Sequence, residues 1–138
     1  MIEEVIHELN CISRMALIEN APQTSRLSIC AMRFLKYKYM EESREVVAYK
    51  EFEMAENLLE LEHLKGNRSF TYQCTKTVDL NTCFLPHYSL LEKLEHVLSQ
   101  CSEAGSKTHL ELITKGEHQH VKIMLIVGGQ ECIEIPCR

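Results

Sequence analysis

The sequence lacks any long apolar run and any excess of positive charge. No stretch approaches the ~18 consecutive apolar residues of a membrane span. The N-terminus also lacks the basic start, apolar run and small-residue cleavage site of a signal peptide. We therefore expect a cytoplasmic protein with no membrane partner. The net charge of −5 argues against a nucleic-acid partner, and the basic cluster "RFLKYKY" at 33–39 is typical of a solvated helix end.

Metal-binding spacing is also missing among the seven cysteines. No two of them are separated by two residues, and no four-ligand set with the usual zinc spacing is present. His118 and His120 share one face of a strand or turn, but two histidines do not complete such a set. The sequence therefore predicts no metal site, and most cysteines are expected to be buried thiols.

The first 40 residues have the pattern of a helical hairpin. Apolar side chains recur at steps of three and four over residues 3–19, which predicts a helix with one apolar seam. Pro22 suits the first turn of a second helix, which is predicted to run to about Met40. The seam of the hairpin comprises Val5, Leu9, Ile12, Ala16, Leu27, Ala31 and Phe34.

A hairpin of this length cannot cover its own apolar seam. Pairing with a second hairpin by two-fold symmetry gives a four-helix bundle, so the sequence predicts a homodimer. The alternative is that the hairpin packs on the rest of its own chain.

The remaining sequence mixes helical and strand patterns, so the predicted fold class is α+β. The turns "KGE" and "GGQ" predict that the last three strands form an antiparallel meander, with helices on one face of the sheet. After a polar joint at 41–45, the predicted elements are a helix at 46–64, a strand at 68–78, a helix at 87–101 and strands at 108–114, 120–127 and 131–136.

Four local sequences, in this order and spacing, resemble those of the LytS-type sensor histidine kinases. The matching pairs are "LNCI" (9–12) with "LNxI", "FLKYKY" (34–39) with "LLRYxL", "EFEMAENLLELEHLKGNR" (51–68) with the helix that leads into "LRfgdR", and "LPHYSLLEKLEHVLSQC" (85–101) with "VPPLLLQPLVENAIKHG". The resemblance covers nearly the whole chain. It implies a dimerisation or phosphotransfer hairpin at 1–43 and a GHKL ATPase-like α/β sandwich at 44–138.

The same resemblance implies that the ATP site is degenerate. The family's Mg²⁺-binding Asn corresponds to His96, although the preceding acid is kept as Glu95. Mg²⁺ prefers oxygen ligands, whereas imidazole suits softer metals. The adenine-binding acidic run is replaced by Gly128 and Gly129, a pair typical of a hairpin turn, and the Gly-rich lid has no counterpart. We therefore expect neither ATP binding nor any other cofactor.

The first helix carries the candidate for phosphoryl chemistry. In the LytS register the acceptor position falls on Glu3, which leaves no acceptor. In the register of ordinary histidine kinases, "HELNC" resembles "HELRN", so His7 is the acceptor and Glu8 the adjacent acid. A neutral imidazole can attack phosphorus while a neighbouring carboxylate fixes its tautomer or takes its proton. The architecture also resembles the sporulation phosphotransferase B, which relays phosphate from such a His without ATP.

Two functions remain open at this point. One is a dimeric pseudo-kinase that acts as a binding module for a sensor histidine kinase or a response regulator. The alternative is a histidine phosphotransferase that relays phosphoryl groups between response regulators through His7. The relay requires that His7 point outward into solvent next to Glu8, and an inward His7 would exclude it.

Overall fold

The computed structural model describes residues 1–66, 68–101, 107–117 and 120–138. In chain order the elements are α1 (Ile2–Ile18), α2 (Pro22–Met40), β1 (Glu45–Val47), α3 (Ala48–Lys65), β2 (Phe70–Thr75), β3 (Phe84–Pro86), α4 (Ser89–Ser99), β4 (Thr108–Glu117), β5 (His120–Val127) and β6 (Glu131–Cys137). None of the helices in these ranges combines the length and the apolar character of a membrane-spanning segment.

The helical hairpin forms as predicted, and small side chains set the contact between its arms. Ala16 is buried on α1, and the hydroxyl oxygens of Ser13 and Ser25 lie 3.0 Å apart in a buried hydrogen bond between α1 and α2. Small residues let the two helices approach closely. Pro22 is the first residue of α2, where its missing N–H costs nothing.

The second arm of the hairpin also packs on the rest of the chain. Leu27, Ala31 and Phe34 are half-buried against the main core, and the Asn57 amide on α3 donates a 2.9 Å hydrogen bond to the Cys30 carbonyl on α2. The sequence left open whether the hairpin packs on a second copy or on the rest of its own chain, and α2 packs on its own chain. Of the predicted seam, the exposed residues are Val5 and Ile12, both on α1.

The larger sheet has four strands in the order β2-β4-β5-β6. The predicted antiparallel meander is confirmed for β4, β5 and β6, and β2 joins it in parallel to β4. The prediction of a turn at "KGE" was wrong, because β4 continues through these residues to Glu117. The "GGQ" turn is confirmed, and both of its glycines have positive φ.

Two short strands were not predicted. β1 and β3 pair antiparallel as a separate two-stranded sheet, with Val46 opposite Leu85. Each has three residues, which is too short to leave a readable alternation of apolar and polar side chains. They connect the start of α3 to the start of α4.

The core lies between α3, α4 and one face of the larger sheet. On β4 the buried residues Leu110 and Leu112 alternate with half-buried or exposed ones, so the helices cover one face, as predicted. The predicted buried stripe of α4 is confirmed. Its members on the helix are Leu91, Leu94, Val97 and Leu98, and the fifth predicted member, Cys101, is also buried but lies beyond the end of α4 at Ser99. The fold is α+β, while the domain division at residue 43 stays a prediction.

Candidate functional site

His7 lies on the outer side of α1. Ile6, Ser13 and Ala16 are the buried residues of this helix, and they face α2. His7 is exposed, as is Glu8. An inward His7 would have excluded the phosphoryl relay, and His7 does not point inward.

The immediate contact of His7 is a thiol. Cys11 lies one helical turn further along α1, and its Sγ is 3.8 Å from His7 Nε2. Cys11 is also exposed. Sequence reasoning missed this pair, although residues four apart on a helix are neighbours on its surface.

A stripe of exposed apolar side chains runs along α1, next to the face of the helix that is buried against α2. Val5, Ile12 and Met15 are 39%, 47% and 58% exposed, and their spacing of seven and three residues keeps them on one side of the helix. We call these three residues the open α1 stripe. Leu9 lies between this stripe and α2 and is half-buried.

Glu51 on α3 is a charged residue with no solvent exposure. Its Oε2 accepts hydrogen bonds from the backbone N–H groups of Leu90 at 2.9 Å and Leu91 at 3.3 Å. Its Oε1 accepts one from the N–H of Tyr88 at 3.1 Å and one from the Tyr37 hydroxyl. The first N–H groups of a helix have no partner within the helix, and no side chain of α4 itself caps its start. Glu51 therefore caps α4 from a different helix.

Tyr37, near the end of α2, also contacts the residues that precede α4. The Tyr37 carbonyl accepts a 2.8 Å hydrogen bond from Nε2 of His87, and the two rings meet edge to face with centroids 4.7 Å apart. Burial, and then the hydrogen bond to the Glu51 carboxylate, raise the pKa of Tyr37 well above its ordinary value, so its hydroxyl remains a donor. We call Tyr37, Glu51, His87 and Tyr88 the three-helix junction, because they join α2, α3 and α4.

Glu95 on α4 already has two partners within this chain. Its Oε1 lies 3.3 Å from Nζ of Lys38 on α2 and accepts a hydrogen bond from the Tyr88 hydroxyl. Burial, followed by that hydrogen bond, raises the pKa of Tyr88 above its ordinary value. Glu95 thus ties α4 to α2.

The remaining positions of the predicted degenerate site are all exposed. His96 is exposed, and its Nε2 is 3.3 Å from the Gln100 side-chain amide one turn further along α4. Gly128 and Gly129 form the exposed turn between β5 and β6, with φ of 64° and 73°.

No protein-family model matches the chain, and no curated protein matches it. The chemistry of the candidate site therefore has to be inferred from its own residues. Among the described residues, no group of three or more His, Cys, Asp or Glu side chains is placed to hold a metal ion. His118 lies outside the described residues, and His120 is exposed.

The three-helix junction was not predicted, but one signal for Glu51 was present. Ala48, Phe52 and Ala55 mark the buried face of α3, and Glu51 falls on that face at three or four residues from two of them. A carboxylate on an apolar face requires partners, which indicates a buried polar contact. Its partners, the N–H groups of α4, could not be identified from the sequence, because they come from residues about 40 positions away.

Proposed function

We propose that the chain is a dimeric two-component signalling module of histidine-kinase type, which binds a sensor histidine kinase or a response regulator and does not bind ATP. The observation that carries this proposal is the open α1 stripe. A helix that packs along one partner and still exposes large apolar side chains is typical of bundle helices that take a further neighbour.

The position of the open α1 stripe supports a four-helix bundle. Ile12 lies next to the contact with α2, so a second hairpin could cover the stripe while leaving His7 on the outer side. Burying an aliphatic side chain completely is worth about 1.5–3 kcal/mol. A two-fold dimer would bury the stripe twice, once from each copy.

The environment of Glu95 supports the proposed loss of ATP binding. Its carboxylate is already engaged by Lys38 and Tyr88, and the neighbouring side chain is the imidazole of His96, a poor ligand for Mg²⁺. Gly128 and Gly129 are used by a hairpin turn. Replacing His96 by Asn should not restore binding, since the segment that covers the phosphates in the kinases has no counterpart.

The dimer is tested by sedimentation equilibrium of the wild type and two variants. The wild type should be a dimer at micromolar concentration, and Ile12→Glu should be monomeric because it places charges in the interface. Leu17→Glu is the matched control, since Leu17 is 62% exposed but faces away from the open α1 stripe. A monomeric wild type, or a dimer that persists in Ile12→Glu, would contradict the proposal.

A second candidate function is favoured by one observation, the exposure of both His7 and Glu8 on α1. In this version the dimer accepts a phosphoryl group from a response regulator on His7 and passes it to another. The attacking imidazole nitrogen forms the new P–N bond as the P–O bond to the regulator's Asp breaks. The regulator and its Mg²⁺ would supply most of the charge stabilisation.

The relay is tested by mixing the chain with a radiolabelled phospho-regulator and measuring acid-labile phosphate. His7→Gln should abolish labelling and leave the dimer intact, while the exposed His96→Gln should label like the wild type. Glu8→Gln should slow transfer by roughly 10²–10⁴-fold, the usual effect of losing an acid–base partner. Labelling that survives in His7→Gln would exclude this function and leave the binding module.

A further inference from the structure

His7 and Cys11 present a nitrogen and a sulfur ligand side by side on α1. The two residues are four apart, and His7 Nε2 and Cys11 Sγ are separated by 3.8 Å. Both side chains are exposed, so a metal ion could reach them without any rearrangement of the core. The same spacing of four residues places two histidines on one zinc ion in helical metalloprotease motifs.

The separation of the two atoms fits a tetrahedral zinc ion. Zn²⁺ binds a His nitrogen at about 2.0–2.1 Å and a Cys sulfur at about 2.3 Å. At a tetrahedral angle these bond lengths place the two ligand atoms about 3.5 Å apart. The observed distance is a few tenths of an ångström longer, which small side-chain rotations on an exposed helix surface can close.

We propose that His7 and Cys11 form a two-ligand site for Zn²⁺ or a similarly soft divalent ion on the outer face of α1. Water fills the other coordination positions, because in the described parts of the chain no third His, Cys, Asp or Glu is placed to complete a set. Glu4 and Glu8 precede the two ligands by three residues each and are exposed, so they add negative charge beside the cation. On binding, the Cys11 thiol releases its proton to solvent and coordinates as the thiolate.

The site overlaps the atom that the proposed phosphoryl relay would use. A metal on His7 Nε2 occupies the nitrogen lone pair that would otherwise attack phosphorus, so zinc should block phosphoryl acceptance. This consequence rests on the proposed relay, whereas metal binding itself does not.

The direct test is a titration of the full chain with Co²⁺, a spectroscopic substitute for Zn²⁺, in a phosphine reductant. The wild type should develop the near-ultraviolet absorption of a thiolate–Co²⁺ bond, and Zn²⁺ should displace it. Cys11→Ser and His7→Gln should each lose this absorption. His96→Gln is the matched control, because His96 is an exposed helical His with Gln100 rather than Cys four residues later.

A second readout follows Cys11 itself. Zn²⁺ should slow the alkylation of Cys11 by iodoacetamide in the wild type, as measured by peptide mass spectrometry, and should not slow it in His7→Gln. Circular dichroism of each variant checks that the helices are retained. Absence of the cobalt absorption from the wild type, or its persistence in Cys11→Ser, would overturn the proposal whether or not the relay operates.

Discussion

Replacing Glu51 by Ala should strongly destabilise the fold. The substitution leaves four hydrogen-bond donors without their acceptor: three backbone N–H groups at the start of α4 and the Tyr37 hydroxyl. An unsatisfied buried donor costs about 1–3 kcal/mol. At the lower end of that range, the four donors give a loss of about 4 kcal/mol, which is a large part of the ~5–15 kcal/mol that holds a typical domain together.

The contribution of each bond can be separated with two further variants. Tyr37→Phe removes only the hydroxyl and leaves the carboxylate with three N–H donors, so it should cost about 1 kcal/mol. Glu51→Gln keeps one acceptor oxygen but turns an N–H₂ group toward the helix start, so its loss should fall between the other two. Glu53→Ala is the control, because Glu53 is an exposed residue of the same helix and should change stability by no more than about 0.5 kcal/mol.

The assay is urea unfolding followed by circular dichroism, with all variants at one protein concentration, because the unfolding of the proposed dimer would depend on concentration. A loss below about 1 kcal/mol for Glu51→Ala, or one equal to that of Tyr37→Phe, would refute the assignment of Glu51 as the cap of α4.

Three further results are expected. Calorimetric titration with ATP and Mg²⁺ should show no binding in the wild type or in His96→Asn, and saturable heat at millimolar nucleotide would contradict the proposed loss of the site. Burial is the main reason why the pKa of the Cys74 and Cys137 thiols is raised from 9.0 to about 12. Because the folded state holds these protons more tightly than the unfolded state does, the free energy of unfolding should decrease as the pH rises from about 9 toward about 12, and unfolding curves at about pH 8 and about pH 10 that coincide would be evidence against this. Gly128→Ala should lower stability by about 1 kcal/mol, because an L side chain is strained at its positive φ, and the melting temperature measures this.

The elements that the sequence predicted well are those with long, regular patterns. α2 was placed from Pro22 to Met40, and the buried stripe of α4 from Leu91 to Leu98 was correct, because three turns or more of helix repeat the apolar spacing several times. Ile12 was assigned to the apolar seam of the hairpin, and in this chain it is 47% exposed. Phe34 was assigned to the same seam, but it is half-buried against the chain's own core.

The features that could not be predicted depend on contacts between distant residues. The parallel pairing of β2 with β4 joins Phe70 to Thr108 across α4, and alternation within a strand does not identify its neighbour. Glu51 and the N–H groups that it caps on α4 are separated by about 40 residues in the sequence. The contact of His7 with Cys11 is the exception, since it is local and follows from helical spacing alone.

The proposed function is tested most directly by sedimentation velocity of the chain mixed with purified response regulators and sensor kinases from the same genome. The wild-type dimer should form a heavier complex with at least one of them, with or without ATP. His7→Gln should still form this complex, because docking uses the surface of the bundle rather than one imidazole. If no regulator or kinase shifts the sedimentation of the chain, the assignment to two-component signalling is wrong.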